Sequence, residues 1–143
     1  MTKAQFLTPL RVEKIGPRRW ILIDDLLFQS ERYEGVFIAP RGFQSDFASI
    51  PSLIGSLFPI VGSYDPVAVI HDAGYMHALV TKNGTRIHTV KHVADNLFAE
   101  GLKAVGVGFL RRRLMTRMVR LFGDPAQHPL AYALPTAAAE VEL

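Results

Sequence analysis

The sequence predicts an α+β domain: an N-terminal antiparallel β-meander, then about three helices, then an extended C-terminal tail. Three observations carry this. The first forty residues hold short apolar runs separated by turn residues. The second half carries apolar stripes of helical period. The last eighteen residues contain two prolines and many alanines with no period. A chain of 143 residues fits one ordinary domain, placed here at 1–125, with 126–143 as the tail.

The elements follow in order. Leu10 to Ile15 alternates apolar and polar residues, and Gly16-Pro17 marks a turn. Trp20 to Ile23 and Leu26 to Phe28 form a longer apolar run interrupted by Asp24-Asp25. Val36 to Ala39 makes a third short strand, ending at Pro40. The segment Arg41 to Pro51 mixes small, polar and aromatic residues, as loops that line a site do. Leu53 to Val61 reads as a short buried helical turn. Asp65-Pro66 opens the first helix, with Asp65 as cap and proline at the first helical position; it is expected to reach Val80. Asn83-Gly84 is a turn. A second helix is expected from Thr89 to Val105, with Val90, Val93, Ala94, Leu97, Phe98, Gly101 and Leu102 on one stripe. Gly106 and Gly108 break it. A third helix spans Phe109 to Phe122 and stops at Gly123-Asp124-Pro125. Its ridge of Leu110, Leu114, Met118 and Leu121 is expected to face the core, opposite Arg113, Arg117 and Arg120.

Composition narrows the function classes. Apolar residues make up 49% and charged residues 20%, which excludes wholesale disorder. The absence of cysteine excludes disulfides, thiolate metal sites and cysteine nucleophiles. No apolar run is long enough to span a membrane, and no signal peptide is evident, so synthesis in the cytoplasm is expected. Net charge is +3, yet five of the sixteen basic residues lie between Arg111 and Arg120. The chain therefore reads as a mildly acidic domain carrying one basic helix. No aromatic residues interleave with these arginines, and nucleic acid is an unlikely partner. No P-loop, dinucleotide fingerprint or H-E-x-x-H motif is present.

Four constellations could carry chemistry. His71-Asp72 sits in an apolar helical segment, with Tyr75 one turn on. His71 and Tyr75 share a face, and adjacent His and Asp can both ligate a metal. The bland alternative is a buried pair that braces a loop. His88, His92 and Asp95 have ligand-like spacing, but His88 and His92 fall opposite the apolar stripe and read as solvated. Asp95 lies at the flank of the stripe, within reach of the first helix. Asp46 and Ser49 have the spacing of a capping interaction, or else Asp46 serves as ligand or general base and Ser49 as a substrate-positioning hydroxyl. The basic helix is either a solvated face or a phosphate or acidic-partner contact.

The order Gly42-Phe43-Gln44-Ser45-Asp46-Phe47-Ala48-Ser49-Ile50-Pro51, His71-Asp72-Ala73-Gly74-Tyr75, Ala94-Asp95-Asn96-Leu97-Phe98 and Phe122-Gly123 resembles the bacteriophage and prophage family catalogued as domain of unknown function 1353. The resemblance covers about Leu10 to Asp124. Position 45 is serine where threonine is usual, and His88, His92 and the tail lie outside the pattern. The resemblance implies a phage or prophage origin and the convergence of Asp46, Ser49, His71, Asp72, Tyr75 and Asp95 on one place. Such a cluster points to metal or catalysis. Asp46, Ser49, His71, Asp72 and Tyr75 are the catalytic candidates. His71, Asp72 and Asp95 are the candidate ligands for a divalent ion, whether zinc, manganese or magnesium.

Two functional expectations follow. The first is a virion- or tail-associated structural or assembly component, made in the host bacterial cytoplasm. Its partners would be other phage proteins, or a second copy reached through the C-terminal tail. The second is a metal-dependent hydrolase acting on cell-wall peptide or, less favoured, on a phosphoester.

Overall fold

The computed structural model describes residues 2–17, 19–45, 64–123 and 140–142. The α+β expectation holds: antiparallel strands come first and three helices follow among the described residues. The strands are β1 (Gln5–Phe6), β2 (Val12–Gly16), β3 (Arg19–Leu22), β4 (Leu26–Ser30), β5 (Gly35–Ala39) and β6 (Gln44–Ser45). Helices α1 (Asp65–Tyr75), α2 (Lys91–Ala104) and α3 (Phe109–Phe122) form the second half, with β7 (Arg86–His88) between α1 and α2. Residues 140–142 form β8, which pairs in parallel with β7. The expected helical turn at 53–61 lies outside the described residues, as does most of the tail.

The strands do not make one meander. β1, β4 and β5 form one sheet, and β2, β3 and β6 another. The apolar run from Trp20 to Phe28 is cut at Asp24-Asp25, where the chain leaves the second sheet for the first. Each half then alternates differently. β4 buries Leu26, Phe28 and Ser30 and turns Leu27 and Gln29 outward. β2 is an edge strand with a largely exposed pattern.

α1 is the central helix, buried from Val67 through Tyr75. Val69, Ile70 and Ala73 pack with Leu26, Phe28, Phe37, Ala39, Val93 and Leu97 in the main core. The other side of α1 contributes Val67 to a second cluster with Phe98, Leu102, Met115 and Val119. α1 ends at Tyr75, not Val80. His77 adopts a left-handed backbone (φ 53°), and Val80 instead bridges β5 at Ile38. That stop uses a non-glycine residue and leaves no signature in the sequence. The cap also differs from expectation. Tyr64 is the N-cap, without a side-chain bond, and Asp65 is the first helical residue.

α1 and α2 cross closely at two small residues. A Cβ on Gly74 would stand 2.9 Å from Ala94 Cβ, and one on Gly101 would stand 3.0 Å from Val67 Cγ1. Gly74→Ala is therefore expected to cost about 1–3 kcal/mol through overpacking, read by urea denaturation.

The third helix corrects one expectation. Its core-facing residues are Met115, Thr116 and Val119. Leu110, Leu114 and Leu121 are exposed, at 80%, 41% and 74%. A helical wheel of this segment shows two apolar ridges, and the wheel alone cannot say which one packs. Phe98 and Leu102 of α2 receive the Met115/Val119 ridge.

Candidate functional site

α1 projects His71 and Tyr75, one turn apart, toward α2. Both meet the same carboxylate oxygen. His71 Nε2 lies 2.8 Å from Asp95 Oδ1, and the Tyr75 hydroxyl donates to that oxygen at 2.6 Å. An ionised carboxylate only accepts, so Nε2 carries a proton in this bond. The other oxygen, Oδ2, accepts from Lys91 Nζ at 2.6 Å. Lys91 also donates to the carbonyls of Val119 and Arg120 in the last turn of α3. The Val119 carbonyl also accepts from the Gly123 N–H at 2.8 Å, and a cation here meets the negative end of the helix dipole. The network thus ties three helices together through one carboxylate.

The surroundings are apolar and aromatic. His71 and Asp95 are each 1% exposed. The imidazole packs against Tyr75 at 4.1 Å and Phe98 at 5.1 Å between ring centres. Gly123 closes the group from α3: a Cβ there would collide with the Tyr75 hydroxyl and the Val119 carbonyl. Gly123→Ala is expected to push Tyr75 off Asp95 and to lower the melting temperature. Tyr75→Phe should lower it less, because Asp95 keeps two of its three donors.

The other carboxylate of the pair turns elsewhere. Asp72 Oδ2 accepts from Ser45 Oγ of β6 at 2.6 Å, so it anchors the sheet to α1. His71, Tyr75 and Asp95 are brought together, whereas Asp72 works on a different side of the helix. Asp46 and Ser49 lie outside the described residues. His88 is on β7, not on a helix, and stacks on His77; His92 is exposed. Among the described residues no group of three His, Cys, Asp or Glu side chains is placed to hold a metal ion. Lys91 and Ser45 were not singled out from the sequence. The i,i+4 spacing of Lys91 and Asp95 was a usable signal for the first. The second required the sheet-to-helix packing.

Electrostatics follow from these contacts. Burial alone would raise the Asp95 carboxyl, but hydrogen bonds from His71, Lys91 and Tyr75 and the charge of His71 outweigh it. Asp95 is held below its usual value and stays ionised. With the folded pKa lowered, its stabilisation is complete above the unfolded value of about 3.9 and is lost as pH falls through the folded value. Asp65 has the opposite sign. Burial raises it, so its contribution is present below the unfolded value and lost as pH rises through the folded one. The expected outcome is a urea midpoint that falls as the pH drops below about 4, with a flatter profile in Asp95→Asn.

Chemically, one oxygen of Asp95 takes two donors and the other takes an ammonium. A carboxylate so occupied and so acidic is a poor general base. It is well suited to orient an imidazole and to lock helices.

Comparison with known families gives a match. The family model described as "Protein of unknown function (DUF1353)" aligns with residues 20–119. That span includes β3 from Trp20 on, β4 to β6, all of α1 and α2, and the side chains of His71, Tyr75, Lys91 and Asp95. No curated protein and no solved structure matches the chain. The match covers well over half of the residues, so the chain belongs to the DUF1353 family.

Proposed function

We propose that this protein is a phage-encoded assembly component, incorporated into a virion or tail and docked through α3. The observation that carries the reading is the distribution of exposed apolar side chains. Among the described residues eight large ones are exposed, and five of them are Phe109, Leu110, Leu114, Leu121 and Phe122 of α3. Apolar residues concentrated on one helix mark an interaction surface more readily than scattered ones. The saturated Asp95 network supports the same reading, because it stiffens the three-helix platform that presents this ridge. The phage setting rests on the family resemblance.

The test is quantitative mass spectrometry of purified particles from the strain that carries the gene. A fixed copy number per particle is expected, and absence from particles overturns the proposal. Leu110→Asp combined with Leu121→Asp should abolish incorporation. Because both positions are exposed, stability should change by no more than about 0.5 kcal/mol per site.

A second reading, the metal-dependent hydrolase, is favoured by one feature. His71 is held in a single orientation by a carboxylate, as metal-ligating histidines commonly are. Elemental analysis after incubation with zinc, manganese or magnesium separates the two readings. Stoichiometric metal that disappears in His71→Ala supports the hydrolase, and no metal in either protein supports the brace.

A further inference from the structure

A cleft of about 340 Å³ opens between α2 and α3. Its lining is Ala99, Phe109, Arg112, Arg113, Thr116, Arg117 and Arg120. Positions 109, 113, 116, 117 and 120 of α3 recur at helical spacing, so one face of the helix carries the site. Four arginines line this space, and none has a carboxylate partner among the described residues. Two of them are oriented by neutral groups. Arg120 donates to the Asn96 side-chain carbonyl at 3.0 Å, and Arg112 donates to the Val107 carbonyl while lying over the Phe109 ring. Those bonds fix direction and leave the charge uncompensated.

Thr116 also belongs to the lining, but it is 6% exposed and its hydroxyl oxygen is buried, so the charged groups that a ligand in the cleft meets are the arginines. Every charged side chain in the lining is a donor. Four positive groups exceed the charge of one carboxylate and match an anion of charge two or more.

We propose that this cleft binds a terminal phosphate group, a phosphomonoester or diphosphate, held by Arg112, Arg113, Arg117 and Arg120. Leu110, Leu114 and Leu121 of the docking ridge are not in its lining, whereas Phe109 belongs to both.

Inorganic pyrophosphate is the probe, titrated calorimetrically into the full chain at constant ionic strength. Saturable one-to-one binding is expected. Arg113→Gln and Arg117→Gln, both at exposed positions, should each weaken it about tenfold. Binding that does not saturate, or that is unchanged in the double arginine variant, overturns the proposal. A short DNA duplex ending in hydroxyls offers only diesters. It is expected not to displace pyrophosphate, and displacement by it would overturn the assignment to a terminal phosphate.

Discussion

Asp95→Ala is expected to cost about 3–5 kcal/mol of folding stability, the range seen when one partner of a buried ion pair is removed. The reason lies in what stays behind. His71 is 1% exposed and loses the acceptor of its Nε2 proton. The Tyr75 hydroxyl loses the same acceptor, and the Lys91 ammonium keeps only two carbonyls. Lys91 is partly exposed and can turn to water, so most of the cost comes from His71 and Tyr75. Urea unfolding followed by circular dichroism gives the number. A second, double-mutant measurement identifies the cause: His71→Ala and Asp95→Ala should be strongly non-additive, because each removes the same bond. Additive losses would mean that the network is not a unit.

Phe98→Ala is expected to be as damaging, about 3–5 kcal/mol, for a different reason. Phe98 is completely buried and belongs to the cluster that receives Met115 and Val119 of α3. Its ring also packs on His71. Truncation would leave a cavity between two helices and remove one wall of the imidazole pocket. Phe98→Leu, which fills more of the space, should recover over half of the loss. Equal losses for the two variants would show that edge contact with His71, not volume, dominates.

Much of the fold was legible because its periods are strong. The 3.6-residue stripe of Ala94, Leu97, Phe98 and Gly101 placed α2, and Gly108 and Gly123 bounded α3. The stop of α1 was not legible. His77 takes a backbone conformation that only tertiary contacts can impose on a non-glycine residue. The division into two sheets was hidden in one apolar run, since pairing partners such as Ser45 for Trp20 are distant in sequence. The exposed leucine ridge misled for a related reason: amphipathicity says that a face can be buried, not what covers it. At the site, the shared face of His71 and Tyr75 and the inward lean of Asp95 came from helical geometry alone. The parting of Asp72 from His71 did not, because their separation depends on Ser45 approaching from the sheet.

Glu100, on α2, reaches back to the β4–β5 hairpin. Its carboxylate accepts from Ser30 Oγ at 2.7 Å and from the amides of Glu31 and Arg32 at 2.9 and 3.0 Å. The turn of a local hairpin is thus finished by a residue about seventy positions later. The strands can zip early, since their pairing closes a short loop, but the turn amides gain their acceptors only when α2 docks. Amide exchange at Glu31 and Arg32 should therefore report helix docking and not hairpin formation. Changes at Glu100 should speed unfolding while leaving the folding rate nearly untouched.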